Sequence, residues 1–147
     1  MKEIRLEATT ASLKPLFEFI KSELSECGCS GRDIRTVKLC VEEVFVNIAN
    51  YAYQPETGEV LVGFDAPGKY QDSIRVNISF IDNGRPFNPL EEEDPDLDAD
   101  LEERTIGGLG IFLVKSKMDD VNYEYMNGQN ILTIIKDLKP ASCQKED

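Results

Sequence analysis

Hydrophobic and polar residues alternate from the first residues of the chain, which predicts a short strand over 2–8. Leu13, Leu16, Phe17, Ile20 and Leu24 then recur at helical spacing, with Thr10 as the expected N-cap and Gly28 as the stop. Ser30 to Asp33 can start a second helix, which runs to about Ala52 before Pro55 and Gly58 break it. Residues 59–65 and 73–82 read as two strands around a turn at Ala66-Pro67-Gly68-Lys69. From Asn83 to Ile106 the pattern is lost. A third helix follows, from about Gly108 to Met118. Two strands near 120–126 and 130–137 close the domain, and Asn127-Gly128 between them is a strong hairpin signal. No internal repeat is visible.

This order, β-α-α-β-β-lid-α-β-β, predicts an α+β fold: a two-layer sandwich with three helices on one face of a mostly antiparallel, mixed sheet. One domain over 1–138 and a polar tail over 139–147 account for the chain.

Composition narrows the class. With 147 residues and 41% hydrophobic content, the chain can build an ordinary core. The 28 acidic against 16 basic residues give a net charge of −12, which argues against nucleic acid or anionic lipid as the main partner. Cys27 and Cys29 stand too close for an ordinary disulfide. A zinc site would need Cys40 plus a fourth ligand, and the chain has no His, so Cys27, Cys29, Cys40 and Cys143 read as reduced thiols. The N-terminus is too charged for a signal sequence, and no apolar run approaches the ~20 residues of a membrane span. A cytoplasmic protein is expected.

Three short motifs carry the chemistry. At about 100° per residue, Ile34, Val37, Val41, Val44, Phe45 and Ile48 form the apolar stripe of the second helix. Glu43, Asn47 and Asn50 gather beside that stripe. An amide oxygen suits Mg²⁺, and a carboxylate can take a proton from an attacking hydroxyl. A solvated helix face would look the same. In the strand 73–82, Asp82 falls on the face of Ile74, Val76, Ile78 and Phe80, so it needs a partner or a ligand. The exocyclic amine of adenine is a suitable donor, and Asn83-Gly84 lets the backbone approach a flat base; a plain turn is the other reading. Gly107, Gly108, Leu109 and Gly110 open the third helix and leave room for phosphate at its free N–H groups, or form a flexible loop. No Gly-Lys-Ser/Thr follows, so this is not a P-loop. The segment over 83–106 is acidic except at Arg85 and Arg104. Arg104 can meet either a terminal phosphate or the acidic run.

As a set, these motifs resemble the GHKL ATPases of the Bergerat fold, and most closely the bacterial anti-sigma-factor serine/threonine kinases. The N box Glu-x-x-x-Asn is Glu43 to Asn47, the G1 box Asp-x-Gly is Asp82 and Gly84, and the G2 box is Gly108-Leu109-Gly110. The resemblance covers roughly 30–138. It implies ATP and Mg²⁺, with Glu43 as general base and Asn47 on the metal. It also implies Asp82 on the adenine amine, Gly84 against the base, Gly108 and Gly110 on phosphates, and Arg104 near the γ-phosphate. The lid over 83–106 would cover the nucleotide. The implied partners are a small anti-anti-sigma protein as substrate and a sigma factor, often with the kinase as a homodimer. The chain departs from the pattern twice: Tyr51 stands where His is common, and Arg85-Pro86-Phe87 replaces a further Gly. A nucleotide-gated binding module without turnover is the rival class. Histidine phosphotransfer within the chain is impossible, because it contains no His.

Overall fold

The computed structural model describes residues 1–53, 56–67, 73–91 and 108–141, with the backbone alone for 108–109. Strand β1 (Lys2–Glu7) leads through a 3-10 turn (Thr10–Ser12) into α1 (Leu13–Glu26) and α2 (Gly31–Tyr51). Strands β2 (Glu59–Asp65) and β3 (Ile74–Asp82) follow, then a second 3-10 turn (Pro89–Glu91). Helix α3 (Gly108–Lys117) and strands β4 (Asp120–Met126) and β5 (Gln129–Leu138) complete the described fold.

The sheet runs in the order β1-β2-β3-β5-β4. Every pairing among the described strands is antiparallel, so no mixed portion is present. One face of the sheet is apolar. Val60, Val62 and Phe64 of β2, Ile74, Val76, Ile78 and Phe80 of β3, and Leu132 and Ile134 of β5 join Leu16, Ile20 and Leu24 of α1 in one core. Helix α2 supplies Val37, Val41, Val44, Phe45 and Ile48, and Val114 comes from α3. Phe45 and Phe80 are fully buried, and burial of each such side chain contributes roughly 1.5–3 kcal/mol. These contacts pack α2 against the sheet, and α2 carries the first motif's two key side chains, Glu43 and Asn47.

The helix ends follow local chemistry. Gly28 takes the left-handed conformation (φ 80°) after α1. There the Cys29 N–H reaches the Leu24 carbonyl and the Gly28 N–H that of Ser25, the pattern of a Schellman stop. Ser30 caps α2 by accepting from the Asp33 N–H at 3.2 Å. Thr10, by contrast, is not the N-cap of α1. It begins the 3-10 turn, which winds directly into the helix, so Ser12 precedes α1 in helical geometry without a side-chain cap bond. Asn127 and Gly128 both have positive φ, as a two-residue hairpin loop requires. Cys27, Cys29 and Cys40 are buried, and burial pushes the Cys29 and Cys40 thiols up to about 11. Cys143 lies outside the described residues.

Candidate nucleotide site

The C-terminal half of α2 and the ends of β3 and β5 line a pocket with a cavity volume of about 20 Å³. Val44, Ile48, Phe80 and Leu132 make its floor apolar; Asn47, Asp82 and Asn130 supply the polar groups. A mostly apolar cavity with a few placed polar groups is the usual form of a small-molecule site.

Asp82 is 3% exposed and stands opposite Asn130 in the β3–β5 register. Its Oδ1 accepts from the Asn130 amide at 2.9 Å and from the Gly84 N–H at 2.9 Å. Burial raises its carboxyl above the ordinary Asp range, and those two donors work against the rise. Both recorded bonds use Oδ1, which leaves Oδ2 as an acceptor for a ligand in the same pocket.

Asn130 is the polar residue that periodicity alone did not pick out. It is 5% exposed, and its amide also donates to the Gly84 and Arg85 carbonyls, at 3.4 and 2.9 Å. Its Oδ1 accepts from the Phe87 N–H at 3.1 Å and from the Tyr123 hydroxyl. One signal was available: an Asn at a core-facing position, in line with Leu132 and Ile134. Tyr53 was missed too. Its hydroxyl donates to the Glu59 carbonyl at 2.6 Å and accepts from the Asn83 N–H at 2.8 Å. That ties the start of β2 to the turn after β3.

Gly84 is needed for a close approach, but the neighbour is protein. A Cβ there would lie 2.4 Å from the Ala52 carbonyl oxygen, and the next N–H, of Arg85, donates to that same oxygen at 3.1 Å. The turn after β3 is therefore pressed against the C-terminus of α2. The first residues of the expected lid are anchored accordingly, since Asn88 accepts from the Leu90 N–H and starts the 3-10 turn. Residues 92–107 of the lid, including Arg104 and Gly107, lie outside the described residues.

Glu43 and Asn47 sit one helical turn apart on α2, both half-buried. Among the described residues, neither side chain has a hydrogen-bond or ion-pair partner. Burial, and then the neighbouring Glu42, hold the Glu43 carboxyl above the ordinary Glu range. A desolvated carboxylate without a partner is costly for stability alone and suits a proton acceptor. Its neighbour is Gly110 of α3, where a Cβ would fall 2.3 Å from Oε2 of Glu43. Gly108 begins α3 and Leu109 follows it; nothing further is described at these two positions.

This contact gives a sharp expectation. In Gly110→Ala the methyl group must displace the flexible end of Glu43, while Ala improves helix propensity by about 1 kcal/mol. The variant should melt no lower than wild type by calorimetry. With Glu43 in the role that the resemblance implies, it should nonetheless lose at least about tenfold in phosphotransfer.

The fold is that of an α+β domain, with a half-buried carboxylate at the pocket's edge that has no partner among the described residues. A family model described as histidine kinase-like ATPase domain matches residues 6–136. The chain belongs to that family. It is 34% identical over 113 residues to a protein named serine-protein kinase RsbW from Listeria monocytogenes, covering 74% of this chain and 69% of the relative. A protein of the same name from Oceanobacillus iheyensis is 33% identical over 115 residues, covering 71% and 66%. One from Bacillus cereus is 32% identical over 104 residues, covering 68% and 62%. The chain thus matches about two thirds of the length of these relatives. Among solved structures, the RsbU and RsbW domains of a Mycobacterium tuberculosis protein align with a TM-score of 0.62 at 15% identity. That alignment covers 92% of this chain and 32% of the other, and it speaks to the fold alone. No described helix is long and apolar enough to cross a membrane.

Proposed function

We propose that the protein is an ATP-dependent serine/threonine kinase that acts as an anti-sigma regulatory factor. The observation that carries this reading is Glu43: half-buried, without a partner among the described residues, one turn from Asn47 and beside a pocket that ends at Asp82. A passive nucleotide binder has no use for a desolvated carboxylate at that edge.

In this reading Asp82 accepts the adenine amine, and Gly84 shapes the turn beside the base. Gly108, Leu109 and Gly110 bring the N-terminal N–H groups of α3 to the phosphates, and Arg104 meets the terminal phosphate. The donor set fits Mg²⁺, because Asn47 offers an amide oxygen with no partner among the described residues and the ion takes few protein ligands. When bound there, Mg²⁺ would neutralise phosphate charge. Glu43 takes the proton from the partner's hydroxyl as its oxygen bonds to the γ-phosphorus, and the bond from that phosphorus to ADP breaks. Positioning and charge neutralisation supply most of the rate. The partners proposed are a small anti-anti-sigma protein as phosphoacceptor and a sigma factor held by direct binding. The kinase acts in the cytoplasm as a homodimer.

Incubation with γ-labelled ATP, Mg²⁺ and the cognate partner protein tests the proposal. Label on a partner Ser or Thr is the expected result. Tight ATP binding with no label on the partner would instead identify a nucleotide-gated binding module.

A further inference from the structure

Asn130 stands directly opposite Asp82 in the β3–β5 register and is almost fully buried. An Asn side chain offers two N–H donors and two acceptor lone pairs. Protein groups take all four. Nδ2 donates to Asp82 Oδ1 and to the Arg85 carbonyl, each at 2.9 Å, with the Gly84 carbonyl at 3.4 Å beside them. Oδ1 accepts from the Phe87 N–H at 3.1 Å and from the Tyr123 hydroxyl. We propose that Asn130 is a positioning residue: it has no capacity left for a ligand, and instead fixes which oxygen Asp82 offers and holds the turn over 84–87 in its working shape. The proposal rests on the reading of this pocket as the ATP site.

Three observations carry it. The chain leaves the sheet after Asp82, so the backbone groups of 84–87 have no strand partner and need hydrogen bonds from elsewhere. One amide supplies them for two carbonyls and one N–H of that turn. The amide is also locked against a flip. The Phe87 N–H can only donate and the Arg85 carbonyl can only accept, so each fixes the end of the side chain it meets. Tyr123, from β4, adds a second donor at Oδ1. Finally, the Asn130 amide and the Gly84 N–H both fall on Asp82 Oδ1. The side chain that shapes the turn thereby also leaves Oδ2 as the oxygen for a ligand.

Asn130→Asp keeps the size of the side chain and its Oδ1 acceptor, but turns an oxygen toward Asp82 Oδ1 and the Arg85 carbonyl. Calorimetry should show the ATP Kd rising at least about tenfold. Hydrogen exchange in the nucleotide-free protein should speed up at least about tenfold at the Gly84 and Phe87 amides, and not in the rest of the sheet. In stopped flow, wild type should bind ATP at a rate linear in ATP concentration. The variant's rate should level off, because its turn must fold before ATP is held. Should that variant not fold, Tyr123→Phe takes its place: it removes one hydroxyl donor to Asn130, and its ATP Kd should rise about two- to fivefold with faster exchange at Phe87. Wild-type ATP affinity with wild-type exchange at Phe87 in the folded variant would overturn the proposal. So would an affinity loss in which exchange rises across the whole sheet, which would show a general loss of fold. If wild type bound no ATP, the ATP reading itself would fall, while exchange at Gly84 and Phe87 would still decide whether Asn130 holds the turn.

Discussion

Glu43→Gln should lower phosphotransfer by about 10²–10⁴-fold, the usual contribution of a positioned general base, while ATP affinity stays within about twofold of wild type. The substitution keeps the side chain's length and its fit against Gly110, and removes only the capacity to accept a proton. Protein stability should not fall. The folded-state pKa of Glu43 lies above the 4.5 of an ordinary glutamate, so ionisation opposes folding. Stability from this site is lost as pH rises through the raised value, and the neutral amide escapes that loss. The wild-type rate has the opposite dependence: it needs the carboxylate, so it should climb with pH through the same raised value. The acid limb of the pH–rate profile should thus lie above 4.5 and vanish in Glu43→Gln. A residual rate with the wild-type acid limb would place the base elsewhere.

Asp82→Asn should weaken ATP binding by about 10–100-fold in a calorimetric titration, the loss of one charge-assisted hydrogen bond. The amide oxygen can still accept from the Asn130 amide and the Gly84 N–H, so the turn should survive. What changes is the outward atom: an NH₂ replaces Oδ2 and meets the adenine amine donor to donor. A protein whose melting temperature is maintained but whose ATP affinity has collapsed is the expected phenotype. Affinity within about twofold of wild type would remove Asp82 from the site.

The sequence made the elements and the site's outline legible through periodicity. The strand 59–65 and the start of α2 within Ser30 to Asp33 were readable because each depends on neighbours within a few residues. The buried side of α2 and the core-facing position of Asp82 followed from periods of 3.6 and 2. What was not legible depends on contacts between distant segments. Asn130 meets Asp82 across 48 positions, through a β3–β5 register that no local pattern encodes. Gly84 read as an approach to a base; its missing side chain also makes room for Ala52, as that of Gly110 does for Glu43. In both cases the chemistry pointed to a glycine, and only the packing revealed which neighbour required it. Thr10 misled because a good capping residue says nothing of whether a 3-10 turn will precede the helix.

The central claim is that Glu43, set by α2 against Gly110, takes the proton in phosphotransfer from ATP. Its most direct test is a rapid-quench single turnover, with enzyme saturated in ATP and Mg²⁺ and mixed with the partner protein. Wild type, Glu43→Gln and Gly110→Ala should be compared at equal nucleotide occupancy. All three should hold ATP, wild type should place phosphate on a partner Ser or Thr, and both variants should be slowed, Glu43→Gln the more severely. Transfer by Glu43→Gln at the wild-type rate would contradict the account.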